Sequence, residues 1–249
     1  MTTPTVTAAI LVIGDEILSG RTKDKNIGYI AEYLANIAID LREVRVVPDV
    51  EAEIVAAVNA LRVRYTYVFS TGGIGPTHDD ITADSMAKAF GVPIGEDARA
   101  LALMLERYAE ADLTPARRRM ARIPHGADLI ENAVSKAPGF MLGNVIVMAG
   151  VPAVMQVMLD AVAPRLRTGV KMLSESVDGG GLPEGIYGEA LGALALQHPH
   201  LSIGSYPTFR DGVFQNQIVV RGRDAAEVAG GAQAVREMIM ALKGDDKPL

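Results

Sequence analysis

The sequence predicts an α/β fold, a mostly parallel sheet doubly wound with helices, followed by a small α+β unit of βαββα order. Three observations carry this expectation. Thr7 to Ile13 is an almost unbroken apolar run ending in Gly14, as required of a strand buried on both faces of a parallel sheet. Apolar residues then recur at helical spacing, at Ile27, Ile30, Leu34 and Ile37 and again at Ile54, Val55, Val58 and Leu61, with strand-like segments between them. The resulting order of strand, helix, strand, helix, strand, helix implies right-handed crossovers and parallel pairing.

The second strand is expected over residues 41–47, ended by Pro48, and the third over 65–70, where Tyr65-Thr66-Tyr67-Val68-Phe69-Ser70 is rich in β-branched and aromatic residues. Thr82 is placed to cap a helix over 83–90, and Gly91 to stop it. Leu101, Met104, Leu105 and Tyr108 mark a further helix, and Pro115 to Arg122 a short basic one. Strands follow over 127–130, 139–142 and 145–148, the last two joined across Gly143-Asn144 as a tight hairpin. The stripe Val151, Val154, Met155, Met158, Leu159, Val162 and Leu166 closes the unit, so a boundary is set near Gly169, giving domains over 1–169 and 170–249. Beyond it come a strand over 171–177, a flexible loop over 178–181, a helix over 186–197, a hairpin of strands 201–206 and 214–221 around Asp211-Gly212, and a helix over 225–242. Residues 244–249 read as a charged, frayed tail.

Composition removes several chemistries. None of the 249 residues is a cysteine, which excludes disulfides, thiolate zinc sites, iron–sulfur clusters and a cysteine nucleophile. A net charge of −6 argues against a nonspecific nucleic-acid or anionic-membrane surface, and the basic run Arg117-Arg118-Arg119 reads as a solvated helix face. No signal peptide and no segment long enough to span a bilayer is evident, so a cytoplasmic protein is expected.

The chemistry concentrates after strand ends. Residues 71–82 join Gly72, Gly73 and Gly75 to Pro76, Thr77, His78, Asp79 and Asp80, between the third strand and the helix that follows. Glycine-rich backbone there leaves N–H groups that favour phosphate, while two adjacent carboxylates repel it unless a cation lies between. Gly14-Asp15-Glu16 follows the first strand and Asp49 the second. Each has an ordinary alternative, since Asp24 or Asn26 can cap a helix after a turn, Asp49 can cap the next helix, Asp79-Asp80 can complement a helix dipole, and His78 can be an exposed loop histidine. Convergence favours function, because three strand ends deliver Asp15 and Glu16, Asp49, and Asp79 and Asp80 to one crevice.

Taken together, Gly14-Asp15-Glu16-Ile17-Leu18 with Gly20, Val47-Pro48-Asp49, residues 71–82, Ala137-Pro138-Gly139-Phe140 and Gly150-Val151-Pro152 resemble the MoaB/MogA-type molybdopterin-binding domain. The CinA-like branch and the amino-terminal domain of eukaryotic FAD synthases are the most similar, over about residues 7–168, and residues 171–243 resemble the small CinA-type companion domain. The resemblance implies a three-layer α/β/α mostly parallel sheet. It implies that Gly72, Gly73, Gly75 and Thr77 cradle phosphate, with Gly14, Asp15 and Glu16 in the same nucleotide site. Asp49 and Asp80 occupy the places of functionally required aspartates, and Asp49, Asp79 and Asp80 are the expected metal ligands. Two departures stand out. The family's Pro-Gly-Val-Pro-x-Glu-Met is here Ala149-Gly150-Val151-Pro152-Ala153-Val154-Met155, without the glutamate, and the lead into Ala137 carries Lys136, a cation suited to a phosphate. The resemblance does not extend to a nicotinamide-nucleotide amidase domain, so amidase activity is not expected.

The leading expectation is a nucleotide pyrophosphatase (a hydrolase) acting on ADP-ribose-like or FAD-like dinucleotides with Mg²⁺ or another divalent metal such as Mn²⁺ or Co²⁺. The alternatives are molybdopterin binding or adenylylation in molybdenum cofactor biosynthesis, and a noncatalytic nucleotide sensor. The expected partner is a small nucleotide or pterin, with neither nucleic acid nor membrane, in a homo-oligomer, as the family often forms dimers or trimers.

Overall fold

The computed structural model describes residues 5–210 and 212–245 and separates between Gly169 and Val170 into two compact units. In the first unit the elements run β1 (Thr7–Ile13), α1 (Asp15–Leu18), α2 (Asn26–Asn36), β2 (Asp40–Val47), α3 (Glu51–Arg64), β3 (Tyr67–Thr71), α4 (Thr82–Phe90), β4 (Ile94–Glu96), α5 (Ala98–Leu105), α6 (Pro115–Arg119), β5 (Arg122–Pro124), β6 (Asp128–Ile130), β7 (Gly139–Leu142), β8 (Val145–Met148) and α7 (Pro152–Val162). Six strands form one sheet in the order β2-β1-β3-β8-β7-β6. β2, β1, β3 and β8 run parallel to one another, and β7 runs antiparallel to both β8 and β6.

Strand alternation builds two cores on this sheet. Ala9, Leu11 and Ile13 of β1 face a core completed by Ile54, Val58 and Leu61 of α3, Met86 of α4 and Met104 of α5. Ala8, Ile10 and Val12 face the other way, onto Ile30 and Leu34 of α2 and Met155, Met158 and Leu159 of α7. The unit is therefore three layers, α/β/α. β1 is buried along nearly its whole length, and each fully buried Leu or Ile contributes about 1.5–3 kcal/mol. Because β1, β2, β3 and β8 are parallel, the segments after Ile13, Val47, Thr71 and Met148 all leave the same edge of the sheet.

Several local expectations change. Thr82 is the first residue of α4 rather than its cap, and its hydroxyl donates to the Gly72 carbonyl at 2.9 Å. Gly91 does end α4 in the left-handed conformation. The basic helix stops at Arg119 because Arg122 to Pro124 pair with β4 in a two-stranded ribbon that the sequence did not signal. At the start of α2, Asp24 Oδ1 accepts the N–H groups of Asn26 and Ile27, at 3.1 and 2.8 Å.

The second unit comprises β9 (Leu173–Asp178), α8 (Glu184–Gln197), β10 (Ser202–Tyr206), β11 (Phe209–Arg210), β12 (Val213–Phe214), β13 (Gln217–Gly222) and α9 (Ala225–Asp245). β10, β13 and β9 form an antiparallel sheet, whose Val177, Ile218 and Val220 pack against Tyr187 of α8 and Ala232, Val235 and Ile239 of α9. Buried Asn216 donates to the Leu182 carbonyl and to the Tyr187 hydroxyl, both at 3.0 Å, anchoring the turn into α8. The expected hairpin turn at Asp211 and the tail beyond residue 245 lie outside the described residues.

Candidate nucleotide site

The segments after β1, β3 and β8 border a cavity of about 570 Å³ lined by Glu16, Gly72, Gly75, Asp80, Asn132 and Val151 among others, whereas Asp15, Asp49 and Asp79, expected in the same crevice, are not among its lining residues. Its central wall is the 72–81 loop. Gly72 has φ +103°, and a Cβ there would lie 2.1 Å from the Ile13 carbonyl oxygen, so only glycine fits between β3 and β1. The loop is tied at its ends by Gly72 N–H to Met148 O (3.2 Å) and Thr82 N–H to Gly73 O (3.0 Å). Between those ties the N–H groups of Gly73, Ile74 and Gly75 have no acceptor among the described residues. Three successive N–H groups without an acceptor on a cavity wall are of the kind suited to an anion.

Asp80 closes the loop on itself. Its Oδ2 accepts the Thr77 N–H at 2.8 Å and the Thr77 hydroxyl at 2.5 Å, and a Cβ on Gly75 would sit 2.6 Å from that oxygen. The exposed Asp79 carboxyl lies below the usual range, with Thr77 beside it, its own backbone N–H and His78 as the causes. His78 is almost wholly exposed and lies 4.0 Å from Asp79.

Asp49 does not cap α3. Its Oδ2 instead accepts the Asp15 N–H across 2.9 Å, joining the end of β2 to the start of α1. Burial pushes the Asp49 carboxyl above its ordinary pKa; the Asp15 N–H opposes that shift, and the Asp15, Glu16 and Asp79 carboxylates add to it. Glu16 folds back over Gly14, where a Cβ would lie 2.6 Å from its Oε2. Among the described residues none of Asp15, Glu16, Asp49 and Asp80 is salt-bridged to a lysine or arginine.

The match to known proteins agrees with this architecture. Residues 9–168 match the family described as "Probable molybdopterin binding domain", well over half of the chain. The chain belongs to the molybdopterin-binding domain family. A second match, to the family described as "FAD synthase, middle domain", covers residues 181–244. A Thermoplasma acidophilum protein is 39% identical over 158 residues, 62% of each chain, and a Caldivirga maquilingensis protein is 32% identical over 252 residues, 95% of this chain and 96% of its own. A crystal structure of "the protein CinA with unknown function" from Thermoplasma acidophilum is 37% identical with a TM-score of 0.61, covering 65% of this chain and 99% of that one. The molybdopterin-binding unit is thus CinA-like.

Within this molybdopterin-binding unit Lys136 does not reach the cavity. Its ammonium pairs with Glu106 at 2.5 Å, and its backbone takes φ +64°, so the chain turns the side chain outward while Ser135 and Ala137 line the cavity instead. Asn132 fixes that turn, accepting the N–H groups of Val134 and Ser135 and donating to the Ala137 carbonyl at 3.0 Å. Val154, standing where the family carries glutamate, contributes apolar wall. Asn132, Ser135 and Thr22 are cavity residues that sequence reasoning missed, because polar residues in turns carry no signal of which side they face. No helix among the described residues is long and apolar enough to cross a membrane.

Proposed function

We propose that the molybdopterin-binding unit is a divalent-cation-dependent nucleotide pyrophosphatase for ADP-ribose-like or FAD-like dinucleotides. The observation that carries this reading is Asp49, a carboxylate raised by burial and set among the Asp15, Glu16 and Asp79 carboxylates, near a loop of free N–H groups. An anion-binding backbone beside uncompensated carboxylates calls for a cation between protein and ligand.

The donor set suits such an ion. It is all oxygen, which favours Mg²⁺, Mn²⁺ or Co²⁺ over zinc. Among the described residues no three His, Asp or Glu side chains gather into a metal cage, and an Mg²⁺-class ion does not need one, since it binds through one or two carboxylates together with substrate phosphates and water. One or two of Asp49, Asp79 and Asp80 would hold it, since the three do not form a single group. Bound there, a divalent ion neutralises charge between carboxylate and phosphate and polarises the phosphoryl oxygens.

The chain's own residues supply the rest. The N–H groups of Gly73, Ile74 and Gly75 hold one phosphate, and the Asp80–Thr77 bonds keep that loop in shape. Among the described residues Asp49 Oδ1 has no donor, which leaves it open to accept a proton from an attacking water where the ion is held by Asp79 or Asp80. Ile74, Val151, Val154 and Met158 give an apolar wall for a flat heterocycle. The FAD synthase middle-domain match beyond residue 180 supports a dinucleotide over a free pterin. Free dinucleotides and a chain without cysteine suit the cytoplasm.

A second reading, molybdopterin binding or adenylylation, is supported by the description of the family matched over residues 9–168. Chromatography of reactions with ADP-ribose or FAD plus Mg²⁺, Mn²⁺ or Co²⁺ separates the two. The pyrophosphatase reading expects AMP from both substrates. ATP-dependent modification of molybdopterin without AMP release from dinucleotides would favour the second, and tight nucleotide binding without any reaction, unchanged in D80N, would indicate a sensor.

A further inference from the structure

Four arginines lie between residues 117 and 122, and three have settled partners. Arg117 donates to the Asp112 carbonyl and stacks 4.6 Å from the centre of the Tyr108 ring, Arg118 pairs with Glu96 at 3.1 Å, and Arg122 pairs with Asp84 at 2.6 Å. Arg119 has no carboxylate partner among the described residues. It turns inward rather than lying on a solvated face as its run of basic neighbours suggested. Its one hydrogen bond is a long one, 3.4 Å, from Nη2 to the backbone carbonyl of Asp80, and its Nε is buried with no partner at all.

That position sets Arg119 against the back of the 72–81 loop. It lines a gap of about 10 Å³ together with Gly75, Asp80 and the mutually neutralised Asp84–Arg122 pair, and Ile74, Gly75, Asp80 and Met120 border both this gap and the main cavity. No lysine or arginine lines the main cavity itself. A guanidinium in this place is always charged, and an unpaired one packed behind free N–H groups adds positive potential where a phosphate would sit.

We infer that Arg119 is the positioning cation of the phosphate cradle, selecting anionic ligands by its charge from behind Gly75 and Asp80. The inference rests on the nucleotide-site reading above but not on turnover. It also explains how the loop favours an anion although Asp79 and Asp80 belong to it. The role expected of Lys136 falls to a residue that approaches the loop from the opposite side of the cavity wall.

Calorimetric titration of the full chain with ADP-ribose and with uncharged adenosine, at two salt concentrations, tests this. R119Q should weaken ADP-ribose about tenfold or more, the size of one charge-assisted interaction, leave adenosine within about twofold, and flatten the salt dependence. R119K should recover part of the loss, and R122Q, which removes an arginine already paired, should keep the wild-type preference. Equal weakening of both ligands by R119Q, or the same anion-specific loss in R122Q, would overturn the inference, as would a wild type that binds ADP-ribose no better than adenosine. If R119Q does not fold, the R119K and R122Q titrations decide the matter alone: a partial, anion-specific loss in R119K with none in R122Q supports Arg119, and no loss in R119K, or an equal loss in R122Q, refutes it. Binding with this pattern but no AMP release would remove the pyrophosphatase reading and leave the cradle assignment standing.

Discussion

The backbone N–H of Asp15 donates to Asp49 Oδ2 at 2.9 Å, so the end of one central strand holds the carboxylate delivered by the next. This bond turns Asp49 toward the start of α1 rather than onto the N-terminus of α3. It also stabilises the ionised form, yet burial outweighs it and leaves the pKa raised. The ionised Asp49 is therefore a cost to the folded protein.

Asp49→Asn follows from that sign. A raised folded pKa contributes stability that is complete below the unfolded aspartate pKa of about 3.9 and is lost as pH rises through the folded value. Asparagine keeps an acceptor for the Asp15 N–H without the charge. D49N should melt at an equal or higher temperature than wild type at pH 7, with the difference closing as pH approaches about 3. Scanning calorimetry at both pH values checks this, and a clearly lower melting temperature for D49N at pH 7 would count against it.

Thr82→Val tests the tie that shapes the loop. The hydroxyl is buried and donates to Gly72 O at 2.9 Å, so valine leaves that carbonyl without its donor. Denaturant unfolding should show a loss of about 1–3 kcal/mol, and ADP-ribose affinity should fall with it. Unchanged affinity in a destabilised T82V would mean that the loop's shape does not set binding.

Gly72→Ala should be worse. Its Cβ would meet the Ile13 carbonyl at 2.1 Å, and φ +103° is strained for alanine, so the backbone must move. A cost of about 2 kcal/mol or more is expected, together with loss of nucleotide binding. Thermal melts with and without ADP-ribose measure both, and a G72A protein that still gains melting temperature on adding ADP-ribose contradicts the cradle.

Much of this was legible in the sequence, for identifiable reasons. Runs such as Thr7 to Ile13 and stripes such as Ile54, Val58 and Leu61 carry period and burial together, so the central strands and helices could be read directly. The β4–β5 ribbon was hidden because its strands are three residues each, one of them ending in proline, too short for alternation. Gly72, Gly73, Gly75, Glu16 and Asp80 line the cavity because parallel strands deliver their ends to one edge, whereas Asp15, Asp49 and Asp79 leave the same edge without lining it. Lys136 and Arg119 were misassigned because charge says nothing of direction. The positive φ of Lys136 and its pairing with Glu106 turn one cation outward, while the end of α6 turns the other in.

Chelation gives a prediction that depends on the lack of a three-residue cage. Without nucleotide, EDTA should leave the melting temperature nearly unchanged, because a cation held by one or two carboxylates adds little to folding. With ADP-ribose present, Mg²⁺ should raise the melting temperature and EDTA should reverse the rise. A large loss of stability on chelation without ligand would point to a structural metal instead.

The proposed part of Asp49 in cleaving a bound pyrophosphate is tested by the rate of AMP release from saturating ADP-ribose with Mg²⁺ or Mn²⁺, compared between wild type and D49N. Metal-dependent turnover by wild type and a fall of about 10²-fold or more in D49N, with ADP-ribose still bound, are expected. No AMP from wild type with either metal, or equal rates in the two proteins, would contradict it.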